Sequence, residues 1–118
     1  MTNYYYLASD QKLGLGNASL DFVATEPWMI PGFDSPVQVE IFNGVKKERE
    51  LRELLQYIRN HTAPYKVCTV QIANLLNSNQ VELRAQKKFN CLLHEIVDPK
   101  KILLQEGHLL TINKVSIS

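Results

Sequence analysis

Four residues constrain this chain more than any others. Leu51, Leu54, Leu55 and Ile58 recur at i, i+3, i+4 and i+7 within the segment 46–60. That spacing places them on one stripe of a helix. The run KKERELRE, residues 46–53, leads into the stripe; it mixes both charge signs and suits a solvated face. Glu48 and Arg52 are four residues apart, a favourable pairing on the helix flank. Pro64 marks the end. A helix with a single apolar stripe must bury it against another layer, and the rest of the chain offers strands.

Tyr4 to Ser9 is dense in aromatic and apolar residues and ends in a Ser-Asp turn signal, which predicts a strand. On a strand Tyr4 and Tyr6 share one face and Tyr5 takes the other. Leu20 to Thr25 alternates and predicts a second strand, hairpin-paired to the first. Val37 to Phe42 alternates more cleanly, with Val37, Val39 and Ile41 inward. Asn43-Gly44 then reads as a connection into the helix. Tyr65 to Ile72 is rich in β-branched residues and predicts a strand. Thr69, Ile72, Ala73 and Leu76 also fit a helical face, so both readings stay open. A second helix is expected from about Val81 to Ile96, with Ala85, Phe89, Leu92, Leu93 and Ile96 as its stripe and Pro99 closing it. Ile102 to Ile112, broken at Glu106-Gly107, reads as a hairpin. The expected fold is a single α+β domain over residues 1–118. It has a mixed or mainly antiparallel sheet of five to six strands with two helices packed on one face.

Composition narrows the function classes. The chain has 118 residues, 45% of them hydrophobic and 21% charged, the balance of an ordinary globular domain rather than a disordered one. A formal net charge of +1 argues against a surface built wholly for nucleic acid. No apolar run reaches the length of a membrane span, and no membrane partner is expected. The start Met1-Thr-Asn-Tyr shows no leader pattern, and two cysteines are too few for a disulfide framework. A cytoplasmic location with free thiols is the expectation.

Three stretches are candidates for chemistry or binding. Gly14-Leu-Gly16-Asn-Ala-Ser19 is a partial dinucleotide fingerprint, but strand-like residues follow it where the motif needs a helix to receive phosphate. A plain turn is the better reading, and no cofactor is expected. EPWMIPGFDSP, residues 26–36, holds three prolines and a glycine yet carries Trp28, Met29, Ile30 and Phe33. Either these side chains close the domain's own core, or they form an apolar binding loop. The loop is the first choice for a contact surface. Cys91 would lie opposite the second helix's stripe, among Arg84, Lys87 and His94. Cations lower a thiol's pKa, so Cys91 is a candidate reactive thiol with His94 one helical turn away as its base. Cys91-x-x-His94 could also open a metal site completed by His61, His108 or Cys68. The spacing alone is too weak to assign a metal.

No Ser, His and Asp set is recognisable by spacing, and no phosphate loop is present. No catalytic residue is assigned. The first expectation is therefore a small non-catalytic interaction or regulatory domain that self-associates or binds another protein through loop 26–36. A DNA-binding module of winged-helix type built from residues 69–113 is the alternative. It requires helix at 69–76. A second alternative is a small-ligand binder or enzyme with a pocket under loop 26–36.

Overall fold

A computed structural model describes residues 2–14, 22–30, 32–41, 47–77 and 87–115. Six strands form one mixed sheet: β1 (Thr2–Ser9), β2 (Phe22–Trp28), β3 (Val37–Ile41), β4 (Val67–Asn77), β5 (Lys87–Leu92) and β6 (His108–Val115). Their order across the sheet is β2-β3-β1-β4-β6-β5. Every pairing is antiparallel except β5 with β6, which run parallel. One α-helix, α1 (Glu48–Thr62), and two short 3-10 turns, Leu93–Glu95 and Pro99–Ile102, complete the described residues.

The expected pair of helices is corrected to one. Residues 87–92 are a strand, and 93–95 are a 3-10 turn; Val81 to Gln86 lie outside the described residues. The spacing of Phe89, Leu92, Leu93 and Ile96 fits a helix, but the spacing alone does not decide. Pairing with β6 supplies the backbone partners instead, so tertiary context overrides local pattern. The intended buried stripe is accordingly dispersed. Ile96 is buried, Leu92 and Leu93 are half-buried, and Phe89 is exposed.

Residues 69–76 lie within β4, paired to β1 from Thr2↔Asn77 to Ser9↔Val70 and to β6 on its other side. The winged-helix alternative thus loses the helix it required at 69–76. The expected β1–β2 hairpin is also corrected: β2 pairs with β3, and β1 lies between β3 and β4. Pro27 falls in β2 at the sheet's edge, where a missing N–H is tolerated. The expected C-terminal hairpin is a 3-10 turn followed by a single strand. Gly107 sits between them with φ 85°, in the left-handed region that favours glycine. Its N–H donates to the Asn74 carbonyl (2.7 Å), and its carbonyl accepts from Lys87 N–H (3.2 Å), so it joins β4 to the start of β5.

The sheet buries both faces. On one, α1 lays Leu51, Leu54, Leu55 and Ile58 against Tyr5, Leu7, Val39, Ile41, Val70, Ile72 and Ile112. On the other, Tyr6, Ala8, Val37, Ala73, Leu75 and Leu109 pack with Ile30 and Phe33 from the loop. The alternation of β1 explains the tyrosines: Tyr5 belongs to the helix side, while Tyr4 and Tyr6 lie on the other with rings 6.0 Å apart.

Tyr5 also ties the segment after Pro99–Ile102 to the sheet. Its hydroxyl accepts from Leu104 N–H (2.9 Å) and donates to the Ile102 carbonyl (3.4 Å). Burial pushes the phenol up to about 12, against the Leu104 N–H, which favours the ionised form. Tyr5→Phe is expected to lose about 1–3 kcal/mol of stability, because it strands a buried donor and acceptor. Urea unfolding with an unchanged m-value checks this, and a loss below ~0.5 kcal/mol would refute it.

Candidate functional site

Two places bring chemistry-bearing side chains together. The first lies at the end of β1. Ser9 Oγ is 3.0 Å from His61 Nε2, at the C-terminal end of α1, and 3.7 Å from Cys68 Sγ at the start of β4. The Cys68 thiol donates to Asp10 Oδ1 (3.4 Å), and Thr69 N–H donates to the same oxygen (3.0 Å). Asp10 N–H donates in turn to the Thr69 carbonyl (3.2 Å). By residue type this is a nucleophile, a base and a carboxylate. By geometry it is a polar clasp joining β1, β4 and α1. Cys68 is 0% exposed and Ser9 5%, which closes both would-be nucleophiles to a substrate. Burial raises the Cys68 thiol's pKa and keeps it protonated.

His61 makes this clasp pH-dependent. Burial lowers the imidazole's pKa below 6.5, partly countered by the Asp10 carboxylate. Between the folded and unfolded values the unfolded chain binds more protons, so stability rises with pH across that window. The contribution is fully present above about pH 6.5 and is lost as pH falls through the window. Urea midpoints at pH 7.5 and 5.5 should therefore differ more for wild type than for His61→Gln. Equal differences would exclude His61 as the source.

The second place is a cleft on the helix side of the sheet, at the β5 edge. Its volume is about 310 Å³. β5 contributes Phe89, Asn90 and Cys91, and β6 contributes His108 and Leu110. Lys101, Leu103 and Leu104 line it from the turn and the chain that leaves it. The Phe89 and His108 rings are 5.1 Å apart at 59°. Asn74 borders the cleft: it is the register partner of His108, and its Nδ2–H donates to the Leu104 carbonyl (2.8 Å). Asn74 Oδ1 is buried with no hydrogen-bond partner among the described residues.

Cys91 thus sits in a cleft, but for a different reason from the one its sequence context suggested. It is half-buried on a strand, and the helical turn that was to bring His94 beside it is absent. Burial raises its thiol pKa, with the Lys101 ammonium pulling the other way and the Glu95 carboxylate adding to the rise. The lowered pKa expected from cationic neighbours is not what this site produces. The candidate metal set is dispersed as well. His61 and Cys68 meet in the clasp, Cys91 and His108 line the cleft, and His94 is exposed on the 3-10 turn. Among the described residues no group of three His, Cys, Asp or Glu is arranged to hold a metal ion.

Exposure still separates the two thiols. Cys91 is expected to react faster than Cys68 with an alkylating reagent on the native protein. Mass mapping of the adduct checks this, and faster labelling of Cys68 would refute it.

Loop 26–36 divides between core and surface. Ile30 and Phe33 are buried beneath the sheet's second face, and Met29 is exposed. Trp28 ends β2, and its side chain lies outside the described residues, as does the Gly16 to Ser19 part of the fingerprint. Gly32, at φ 103°, turns the chain so that Phe33 N–H can donate to the Ile30 carbonyl (3.0 Å). Gln71 anchors the loop, accepting from Asp34 N–H (2.7 Å) while donating to Thr111 Oγ1 (3.0 Å).

No protein-family model, no curated protein and no solved structure matches the chain. Among the described residues no helix is long and apolar enough to cross a membrane.

Sequence reasoning missed the clasp and the cleft walls. Ser9-Asp10 reads locally as a turn, and only the β1–β4 pairing brings it to Cys68. Leu103 and Leu104 read as part of a hairpin, and nothing local marks them or Lys101 as facing β5.

Proposed function

We propose that the chain is a small non-catalytic binding domain whose partner enters the cleft between β5, β6 and Lys101–Leu104. The supporting observation is the convergence at one sheet edge of exposed Phe89 and Leu103 with an apolar recess that also holds a lysine, a histidine and a thiol. Small-molecule sites combine these features: an apolar lining with a few polar groups that fix orientation. Binding is favoured over nucleophilic catalysis because burial holds the Cys91 thiol in its protonated form. Two separate free thiols suit a reducing compartment such as the cytoplasm.

This reading moves the contact surface away from loop 26–36, since Ile30 and Phe33 are occupied in the core. Titrating the isotope-labelled protein with benzyl alcohol, benzamide and phenol, followed by amide chemical shifts, tests the placement. Shifts should cluster at Phe89–Cys91, Lys101–Leu104 and His108–Leu110. Shifts centred on Met29 and Gly32–Pro36 would restore the loop, and the absence of any cleft response would end the proposal.

A further inference from the structure

The cleft's chemistry narrows its occupant. Among the described residues its lining contains no carboxylate, one ammonium on Lys101 and one imidazole on His108. Glu95 acts electrostatically on Cys91, and its carboxylate accepts from Leu92 N–H (2.9 Å). Of the other cations on these elements, Lys88 lies beside Gly32 on the opposite face, and Lys87 and Lys100 are exposed and do not line the recess. His94 is exposed on the 3-10 turn and also stays outside it. The remaining lining is dominated by Phe89, Leu103, Leu104 and Leu110. At about 310 Å³ the recess is at the small end of the range for ligand sites.

We infer that the cleft binds a small free carboxylate with an apolar body, its acid group on Lys101 and its aromatic or short aliphatic part against Phe89 and Leu110. An apolar body gains by leaving water, and a carboxylate beside an ammonium gains a charge-assisted hydrogen bond. A cation would meet the Lys101 ammonium, so the site discriminates by repulsion as well as attraction. A neutral amide keeps the apolar contacts and loses only the charge. This inference rests on the cleft being the binding site.

Phenylacetate, phenylacetamide and 2-phenylethylammonium test it, each titrated into wild type and Lys101→Met with amide shifts as the readout. Phenylacetate should bind in the cleft about five- to tenfold more tightly than phenylacetamide, the range of a partly screened charge-assisted contact. Lys101→Met should remove that preference, leaving acid and amide equally bound. Raising salt from 50 to 500 mM should shrink it in wild type. Equal binding of acid and amide, or a preference that survives Lys101→Met, overturns the inference. Binding of the amide or the ammonium without the acid also overturns it, while leaving the cleft as a binding site. If none of the three perturbs the cleft, both the inference and the proposed function fall.

Discussion

Leu54→Ala is expected to destabilise the domain by about 2–5 kcal/mol, the range for a leucine truncated inside a close-packed core. Leu54 is 0% exposed, at the centre of the stripe that fixes α1 to the sheet. The helix is also tied by polar contacts, His61 to Ser9 and Tyr57 to the Gly14 carbonyl among them. Its single described ion pair, Arg52 to Glu48 at 3.7 Å, joins two exposed side chains and contributes little. Arg59 donates to the Ile96 carbonyl (2.9 Å), and Lys114 reaches the carbonyls of Thr62 and Ala63 at its end. The stripe is the apolar part of the docking, and Leu54 lies at its centre. Urea or thermal unfolding of Leu54→Ala beside Arg52→Ala separates the two kinds of contact. The surface variant should stay within ~0.5 kcal/mol of wild type. A loss under 1 kcal/mol for Leu54→Ala would mean that the helix rests on something other than this face.

The contrast between α1 and residues 87–96 shows where sequence pattern is enough. In α1 four apolar positions, a charged opposite face and a proline stop all require the same element, and the element forms with those residues inward. The alternation of Val37, Val39 and Ile41 identifies the strand and its buried residues, but the β1–β3 register shifts between Leu7 and Ala8, and Val37 packs on the opposite face from Val39 and Ile41. At 87–96 the spacing of Phe89, Leu92, Leu93 and Ile96 matches that of the α1 stripe, but Phe89 and Cys91 with Asn90 between them also fit a strand. The deciding factor is β6, some twenty residues further along the chain, whose free edge accepts the parallel pairing. Long-range pairing is invisible to a local window. The same reason hides the candidate site. Cys91 stands out in the sequence, yet its cleft is made by Lys101 and Leu103, whose position depends on the Tyr5 hydroxyl gripping Ile102 and Leu104 from the centre of the sheet. Ser9, His61 and Cys68 are separated by 52 and 59 positions and meet only because β1 and β4 are neighbours.

Phe33→Ala is expected to cost about 3–5 kcal/mol, the range for a buried phenylalanine lost from a core. Loops usually run over the surface, and an apolar loop invites a binding role. Here the loop's own hydrogen bonds point inward. Gln71, buried on β4, accepts from Asp34 N–H and so holds the residue after Phe33 against the sheet. With that anchor in place the Phe33 ring covers Ala73, Leu75 and Leu109, small and medium side chains that would otherwise leave the second face open. Removing the ring opens a cavity that the anchored loop cannot collapse to fill. Met29 is 53% exposed and offers the opposite case. Met29→Asp should leave stability within ~0.5 kcal/mol of wild type. If the loop instead joins two copies of the chain, Met29→Asp should lower the sedimenting mass while Phe33→Ala stays fully folded. The core assignment requires the reverse: a strongly destabilised Phe33→Ala and a Met29→Asp that sediments as wild type does. Urea titration and sedimentation velocity on the same two variants decide between these outcomes, because packing and association act on different side chains of one short segment.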